Sequence, residues 1–358
     1  MNCLIWADGS AQTGLGHIFR AATLAAALRE SRGASSILLT GAADDSLLPI
    51  RDAFGSIQKV PQGLSHDSAF QQLVGLAERC KVPLVIIDKP SYPTALCRLL
   101  KQFKSEHPRP AFVAFGAAQR RTIGVPPGCV DMIIDANRTT RDAAEFDGST
   151  TVALFGPEYA ALAPQFAEAR SRFSLRDSFQ RLIISMGGSD PSFATLIAYQ
   201  AAARLQGSRF GLPTIDIVLG PAFSGTYWER LKPKIDETRT CIHRNVRQKE
   251  LADMFSSADG CIVSGGITMF EAAAVGLPAI VVSQNPPQLK NARRLASYGA
   301  VVNAGLFSQV SAEDVASILA GWQSSCDARA ELSRRARQTV DGMGLERICA
   351  AMLRLLDV

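Results

Sequence analysis

Short apolar segments alternate along this chain with longer segments that have the spacing of amphipathic helices, such as Arg20–Glu30 and Ser192–Leu205. Strands that are apolar along their whole length are typical of parallel sheets whose two faces are both covered by helices. The sequence therefore predicts an α/β fold. The predicted strands are Cys3–Trp6, Ser36–Leu39, Leu84–Ile87, Ala111–Phe115, Met132–Ile134, Thr151–Phe155, Leu182–Ser185, Ile215–Leu219, Gly260–Val263 and Ala279–Val282.

One strand–loop–helix unit occurs twice, about half a chain apart. The first copy begins at Cys3 and leads through a glycine-containing loop into a helix around Ile18–Leu28. The second begins at Arg181 and leads through Gly187–Pro191 into a helix over Ala194–Ala203. Each copy is typical of the start of a Rossmann-like domain. Two such domains facing each other would bring the carboxyl ends of both sets of strands to one cleft.

The length of 358 residues also favours two domains over one. We predict an N-terminal Rossmann-like domain over residues 1–160 and a C-terminal, nucleotide-binding one over residues 161–340. The linker between them would lie around Phe155–Phe166, where Gly and Pro break regular structure. Apolar spacing from Ala312 onward predicts terminal helices, one of them within residues 341–358, that could pack back across both domains.

Composition excludes several classes of protein. The net charge is only +5, and the basic residues are scattered instead of forming the stripe that nucleic-acid binders show. No basic segment followed by an apolar stretch opens the chain, and no uncharged apolar run reaches about 18 residues. We therefore expect a cytoplasmic protein without a signal peptide or a spanning helix. The eight cysteines form no CxxC pair, which favours buried reduced thiols over structural zinc.

The loop Gly265-Gly266-Ile267-Thr268 follows a predicted strand and opens an alanine-rich helix. Its glycines let the backbone approach a ligand closely, and the helix N-terminus offers free N–H groups that favour phosphate. Glu271 follows about one turn later, where its carboxylate could accept hydrogen bonds from ribose hydroxyls. The alternative is a plain strand-to-helix turn, with Thr268 as a cap and Glu271 favouring the helix dipole.

A second loop, Met186–Pro191, has the same physical features. Gly187 and Gly188 are followed by the capping residues Ser189 and Asp190 and by a proline suited to a helix start. A well-capped helix without a ligand is the alternative. Two anion-binding helix N-termini in one domain would suit a diphosphate.

A third loop, from Asp8 to His17, brings an ionisable side chain to the start of a helix. Gly14 and Gly16 give it the pattern Gly-x-Gly-His, with no third glycine at the spacing of a dinucleotide fingerprint. The helix dipole disfavours an imidazolium cation, so a neutral His17 could act as a general base, with Asp8 orienting it. An ordinary histidine in the capping region is the alternative.

These residues resemble the PseG-type UDP-sugar hydrolases of pseudaminic acid biosynthesis, over about residues 1 to 305. The second half is also similar to the MurG branch of the GT-B glycosyltransferases. The joint occurrence of the Gly-x-Gly-His and Gly-Gly-Ser-Asp loops is the most specific part of the likeness. The matching residues are Asp8, Gln12, Gly14, Gly16, His17, Arg20, Phe155–Ala160, Met186–Asp190, Thr268, Glu271, Gly276 and Pro278.

The resemblance implies a GT-B fold of two facing Rossmann-like domains, and an enzyme that needs neither a metal nor a cofactor. Family members hydrolyse a UDP-linked 2,4-diacetamido-2,4,6-trideoxy sugar with inversion at the anomeric carbon. His17 matches the catalytic histidine, which is expected to activate water. In the MurG-like half, Glu271 would hold the ribose and the backbone of Val246 the uracil. The remaining positions expected at the substrate are Gly14, Gly16, Arg20, Gly187, Gly188, Ser189, Asp190, Gln288, and the diphosphate-binding Gly265, Gly266, Ile267 and Thr268.

The chain departs from the family pattern at positions that mostly line the sugar side. The family has Arg at the position of Trp6 and Asp-His-Tyr at the position of Asp88-Lys89-Pro90, although Tyr92 lies close by. Because the nucleotide side is kept, these departures indicate a changed sugar or acceptor. Two further departures are Gly116-Ala117-Ala118 for a paired acidic segment, and Pro287-Gln288, with Asn285 nearby, for Asn-Gln.

We therefore predict a hydrolase that releases UDP from a UDP-linked amino or deoxy sugar, with His17 as the base. One alternative is a GT-B glycosyltransferase in which His17 deprotonates an acceptor hydroxyl. Another is a non-catalytic protein that binds nucleotide sugars. The segment His243–Val246 could meet a base or a phosphate, or be a solvated connector.

Overall fold

The computed structural model describes residues 2–10, 14–61, 64–116, 124–205, 213–223 and 225–357. They form two compact units. Unit 1 contains the described residues up to Ala161 together with those from Met343 onward, and unit 2 is Leu162–Gly342. Each unit is built on a parallel sheet flanked by helices, which confirms the predicted α/β class.

Unit 1 contains a seven-stranded sheet in the order β3-β2-β1-β4-β5-β6-β7. Its strands are β1 (Asn2–Ala7), β2 (Ser35–Thr40), β3 (Ser56–Lys59), β4 (Leu84–Asp88), β5 (Ala111–Phe115), β6 (Met132–Asp135) and β7 (Val152–Phe155). Its helices are α1 (Gly16–Arg32), α2 (Asp44–Leu47), α3 (His66–Arg79), α4 (Thr94–Glu106) and α13 (Gly344–Leu356), with 3-10 turns at Leu48–Ala53, Thr140–Phe146 and Pro157–Tyr159.

Unit 2 contains a six-stranded sheet in the order β10-β9-β8-β11-β12-β13. Its strands are β8 (Arg181–Ser185), β9 (Thr214–Leu219), β10 (Thr240–Arg244), β11 (Gly260–Val263), β12 (Ala279–Ser283) and β13 (Val302–Leu306). Its helices are α5 (Pro164–Arg172), α6 (Ala194–Ala203), α7 (Gly225–Leu231), α8 (Gln248–Ser256), α9 (Ile267–Val275), α10 (Pro286–Ser297), α11 (Ala312–Ser324) and α12 (Cys326–Thr339), with a 3-10 turn at Lys232–Lys234.

The sheet of unit 1 separates two apolar layers, because successive side chains of a strand point to opposite faces. Ile5 and Ala7 of β1 pack into the layer beneath α1 and α13. Leu4 and Trp6 pack into the layer beneath α3 and α4. Every central strand is therefore buried on both sides, which explains why the strands read as continuous apolar runs.

The terminal helices belong to different units. Helices α11 and α12 stay in unit 2, where Leu319 and Trp322 enter its core. Helix α13 instead belongs to unit 1, and its Ile348 and Met352 are fully buried in the layer that α1 covers. The chain thus passes from unit 1 to unit 2 and back again.

Three strands were not predicted from the sequence, namely β3, β10 and β13. All three lie at sheet edges, where one side has no neighbouring strand. In β13 all five residues are only half-buried, and β3 is mostly exposed. Edge strands need no continuous apolar run, so a search for such runs passes over them.

In the described part of the chain, no helix is long and apolar enough to cross a membrane, and no three His, Cys, Asp or Glu side chains are placed to hold a metal ion. All eight cysteines are free thiols. The expectation that they are buried is confirmed for five of them but is wrong for Cys80 and Cys326, which are half-buried, and for Cys241, which is exposed on the edge strand β10.

Candidate functional site

The strand order reverses once in each sheet, between β1 and β4 in unit 1 and between β8 and β11 in unit 2. In open parallel sheets, ligands bind at the carboxyl ends of the strands where the order reverses. The loops that follow β1, β8 and β11 are the three glycine-rich loops of the sequence. The fold therefore brings each of them to a point of reversal.

In unit 1, His17 lies in the first turn of α1 and contacts Asp88, the last residue of β4. The distance from His17 Nδ1 to Asp88 Oδ1 is 2.6 Å. Arg20, one turn further along α1, donates from Nε to Asp88 Oδ2 at 2.7 Å and from Nη2 to Asp88 Oδ1 at 2.6 Å. Asp88 is completely buried, whereas the His17 side chain is 23% exposed. The carboxylate therefore holds a partly exposed imidazole in one orientation.

The ionisation of Asp88 assigns the histidine tautomer. Burial on its own would raise the pKa of Asp88, but the Arg20 guanidinium and the His17 ring hold it at about 2. A carboxylate can only accept, so His17 Nδ1 carries the hydrogen, and in the neutral form of the ring Nε2 has the lone pair. Arg20 Nη2 lies 3.2 Å from Nδ1 because both donors converge on the same oxygen. Among the described residues Nε2 has no hydrogen-bond partner.

The structure corrects the predicted role of Asp8, which does not orient His17. Asp8 Oδ1 accepts a hydrogen bond from the Gly41 N–H at 2.8 Å, and Oδ2 pairs with the Lys89 ammonium. The reason is strand alternation: Ala7 packs on the α1 side of the sheet, and Asp8 follows on the other side. Asp88, which the sequence analysis noted only as part of a departure from the family, takes the orienting position.

The other predicted residues of this loop are only partly engaged. Arg20, expected at the substrate, is committed to Asp88 and stacks over Phe115, with its guanidinium carbon 5.1 Å from the ring centroid. Gly14 has a φ of 84° and exchanges two backbone hydrogen bonds with Ser10. A side chain at Gly14 or Gly16 would meet no atom within 4 Å, so both positions are open. Gln12 lies outside the described residues.

In unit 2, the Gly-Gly-Ile-Thr loop leaves the N-terminus of α9 without a side-chain cap. Gly266 occupies the capping position and has no side chain to offer. The α carbon of Gly187 is close by, because a side chain there would come within 3.6 Å of Ser264 Oγ and 3.8 Å of Thr268 Oγ1. The Gly187 loop and two hydroxyls thus lie beside the uncapped start of α9, an arrangement suited to an anion.

The second predicted anion site is already filled by the protein, because Asp190 caps α6. Its carboxylate accepts hydrogen bonds from the N–H groups of Ala194 at 2.9 Å and Thr195 at 2.8 Å. The Tyr227 hydroxyl donates to it at 2.6 Å, and Asp190 is only 2% exposed. Asp190 is therefore a structural cap rather than a substrate contact, and the expectation of two free helix N-termini is wrong.

Gln284, which the sequence analysis missed, ties the Gly-Gly-Ser-Asp loop to the end of β12. Its amide nitrogen donates to the carbonyls of Met186 at 2.9 Å and Ser189 at 3.2 Å. The predicted residue Gln288 accepts from the Gln284 N–H at 3.0 Å. A side chain at Gly265 would lie 2.6 Å from the Gln288 carbonyl oxygen, so only glycine permits this approach. Gln288 thus positions the loops in this geometry.

Glu271 lies in the second turn of α9 and is only 6% exposed. Burial raises its pKa to about 7, and the hydrogen bond from the Thr268 side chain offsets this in part. Val246 is half-buried and follows Asn245, which has a φ of 55°, after the edge strand β10. His243 is a strand residue, and its Nε2 lies 2.6 Å from Asp216 Oδ1, so it is not part of a solvated connector.

No family model matches the chain. The chain is similar to the spore coat polysaccharide biosynthesis protein SpsG of Bacillus subtilis (strain 168), with 26% identity over 358 residues, which are 100% of this chain and 99% of that protein. This full-length likeness extends over both units.

Solved structures with similar folds cover the whole chain as well. MurG of Acinetobacter baumannii has a TM-score of 0.65 at 16% identity and covers 99% of each chain. The UDP-GlcNAc 2-epimerase of Neisseria meningitidis bound to UDP-GlcNAc has a TM-score of 0.66 at 10% identity, over 99% of this chain and 100% of that one. The spinosyn rhamnosyltransferase SpnG in complex with thymidine diphosphate has a TM-score of 0.63 at 15% identity, over 100% of each chain. The chain therefore has the GT-B fold, and over its full length it is similar to SpsG.

Proposed function

We propose that this protein is a nucleotide-sugar hydrolase in which unit 2 binds the diphosphate and His17 is the general base. The observation that carries the proposal is the contact between His17 Nδ1 and the buried, ionised Asp88, at 2.6 Å. This contact leaves Nε2 as the basic nitrogen on a partly exposed ring. A carboxylate that fixes the tautomer and orientation of a histidine is the arrangement that general-base catalysis requires.

In the proposed reaction, Nε2 removes a proton from water as the water oxygen forms a bond to the anomeric carbon. The bond between that carbon and the diphosphate oxygen breaks, and its electron pair leaves with the diphosphate. The uncapped N-terminus of α9 supports this step, because its N–H groups and its dipole favour the charge that develops there. By its resemblance to the PseG-type hydrolases, the nucleotide would be UDP and the sugar an amino or deoxy sugar.

Transfer to an acceptor hydroxyl is the second candidate. The departures at Trp6 and Lys89 from the hydrolase pattern favour it, since they change the sugar side of unit 1. A protein of the same fold is a rhamnosyltransferase, and the similar SpsG takes its name from polysaccharide biosynthesis. In this candidate His17 Nε2 would remove the proton from the acceptor instead of from water.

The test is UDP release from a panel of UDP-linked amino and deoxy sugars, for the wild type, H17Q and D88N. We expect each variant to lower kcat by about 100-fold or more, since the base is lost in the first and its tautomer is released in the second. The Kd for UDP should stay unchanged, because the proposed diphosphate site is in unit 2. H66Q is the matched control, since His66 is exposed at the start of α3.

The outcomes separate the candidates. Release of UDP in water alone supports hydrolysis, whereas release only after an acceptor is added supports transfer. Unchanged turnover in H17Q would contradict the assignment of the base. Tight binding of UDP without turnover of any donor would contradict catalysis altogether.

A further inference from the structure

A second charged cluster lies at the carboxyl ends of β1 and β4, on the face of the sheet away from His17. The Lys89 ammonium pairs with the Asp8 carboxylate, and we call these two residues the Asp8–Lys89 pair. The Lys89 Nζ lies 3.9 Å from the centroid of the Trp6 ring. Because Asp88 and Lys89 are consecutive, one points to the α1 side and the other to the α3 and α4 side.

The protein holds this pair in a fixed geometry. Asp8 accepts the Gly41 N–H at 2.8 Å and faces the Thr40 hydroxyl at 3.5 Å. Trp6 is buried and supplies a rigid apolar surface beneath the ammonium. Holding a lysine side chain in one conformation costs entropy. Because the fixed Lys89 ammonium lies where the strand order reverses, which is where ligands bind in such sheets, its position indicates a binding role.

The pair has hydrogen-bonding capacity that the described protein does not use. An ammonium has three donors, and among the described residues only Asp8 accepts from Lys89. The Lys89 side chain is only 14% exposed, whereas the Asp8 side chain is 35% exposed. Burial lowers the pKa of Lys89, and the neighbouring Asp8 carboxylate offsets this in part. A ligand acceptor at the ammonium would relieve the cost of burying it.

Two pairs of opposite charge lie among the described residues at this edge of unit 1. Asp8 is offset by Lys89, and Asp88 is offset by Arg20. A group with an additional negative charge would therefore find no free cation among these residues. A neutral group that offers an acceptor next to a donor fits the pair, because Lys89 donates and Asp8 accepts.

We propose that the Asp8–Lys89 pair binds the sugar ring of the substrate, and that it selects an uncharged sugar with a hydroxyl or acetamido substituent over a sugar acid. The proposal rests on the proposed function, since it concerns the sugar of the same nucleotide-sugar substrate. A sugar hydroxyl satisfies both partners, with its oxygen accepting from Lys89 and its O–H donating to Asp8. Lys89 is thus a specificity-determining residue and not the catalytic base.

The experiment measures the Kd of UDP, UDP-GlcNAc and UDP-glucuronic acid by calorimetry for the wild type, K89M and D8N. In the wild type we expect UDP-GlcNAc to bind more tightly than UDP and more tightly than UDP-glucuronic acid. Each substitution should weaken UDP-GlcNAc binding by about 10- to 100-fold, the usual range for a lost charged hydrogen bond. The Kd for UDP should not change.

K104M is the matched control, because Lys104 and Asp131 form an ion pair of similar exposure at the opposite end of the same sheet. Their side chains are 17% and 27% exposed. This variant removes a comparable pair and should leave all three Kd values unchanged. Thermal unfolding shows whether K89M folds. If it does not, K89R and D8N test the same pair with a smaller change to the structure.

Equal affinity of the wild type for UDP and UDP-GlcNAc would overturn the proposal, as would unchanged UDP-GlcNAc affinity in K89M and D8N. Tighter binding of UDP-glucuronic acid than of UDP-GlcNAc would overturn the selectivity. In each of these cases UDP still binds, so the proposed function stands. A wild type that binds no UDP would overturn both.

Discussion

At the scale of single residues, burial gives two carboxyl groups opposite ionisation. Asp88 is fully buried, yet its pKa is held at about 2 because Arg20 and His17 offset the cost of burial. Glu271 is buried without a cation beside it, so its pKa rises to about 7. A fixed charge thus orients His17, and a carboxyl that titrates near neutrality lies next to the proposed diphosphate site.

Glu271 makes the stability of the protein depend on pH. Its pKa is raised from 4.5 to about 7, so the folded protein binds the proton more tightly than the unfolded chain does. Its contribution is fully present below about pH 4.5 and is lost as the pH rises through about 7, with a total of about 3 kcal/mol. We expect E271Q, which cannot ionise, to abolish this loss.

The measurement is urea unfolding of the wild type and E271Q at about pH 5 and about pH 8. E237Q, at an exposed position, is the control and should follow the wild type. A wild type whose stability changes between these two pH values no more than that of E271Q would contradict the prediction.

The residues of the candidate site were predictable where the chemistry is local, and not where it depends on pairing between strands. His17 and the glycine loops stand out because their neighbours in sequence define them. The contact of His17 with Asp88 spans 71 residues and depends on the parallel register of β1 and β4. Trp6 and Lys89 read as two separate departures in the sequence, but in the structure they are partners.

At the scale of elements, two loops that each have a Gly-Gly pair before a helix have different roles. The loop before α6 contains its own anion, Asp190, whose carboxylate accepts from the first N–H groups of the helix. The loop before α9 ends in Gly266, which provides no side-chain hydrogen bond to the first N–H groups of the helix. Asp190 lies four residues before α6, and an aspartate near a helix start is a capping signal, so this distinction could be read from the sequence. The edge strands β3, β10 and β13 could not be read in this way, because exposed or half-buried strands lack the apolar pattern.

The loop after β9 supports the Gly-Gly-Ser-Asp loop by close backbone contact. A side chain at Gly220 would lie 2.3 Å from the Gly187 carbonyl oxygen and 2.6 Å from that of Gly188. We expect G220A to displace this loop and to weaken UDP binding by about 10-fold or more, while destabilising the fold by about 1–3 kcal/mol.

The measurement for G220A is the Kd of UDP by calorimetry, together with the thermal unfolding midpoint. G225A is the control, since a side chain at Gly225 would meet no atom within 4 Å. UDP binding by G220A that equals that of the wild type would show that this loop does not border the nucleotide.

At the scale of the whole molecule, unit 1 is assembled from two distant parts of the chain. Gly344, at the start of α13, approaches Ala160 so closely that a side chain there would lie 2.2 Å from the Ala160 carbonyl oxygen. Arg347 also donates from Nη1 to the Glu158 carbonyl at 3.0 Å. The apolar face of α13 then completes the layer that α1 covers.

Substitution of Ile348 tests whether α13 is part of the core of unit 1. It is completely buried between α13 and the rest of unit 1, so I348A should destabilise the protein by about 2–4 kcal/mol. UDP binding should persist below the unfolding temperature, because the proposed diphosphate site lies in unit 2. Thermal unfolding and calorimetry measure the two effects, and R354A, exposed on the same helix, is the control. An unchanged unfolding midpoint in I348A would contradict the assignment of α13 to the core of unit 1.

The return of α13 to unit 1 sets an order of events during synthesis on the ribosome. Domains generally fold as units and in order of emergence, the N-terminal one first. Here the segment that completes unit 2, up to Gly342, emerges before the segment that completes unit 1, from Met343 onward. Until then, the surface that Ile348 and Met352 cover is exposed on the nascent chain. The unit that begins first is therefore finished last, and part of its apolar core stays uncovered throughout that interval.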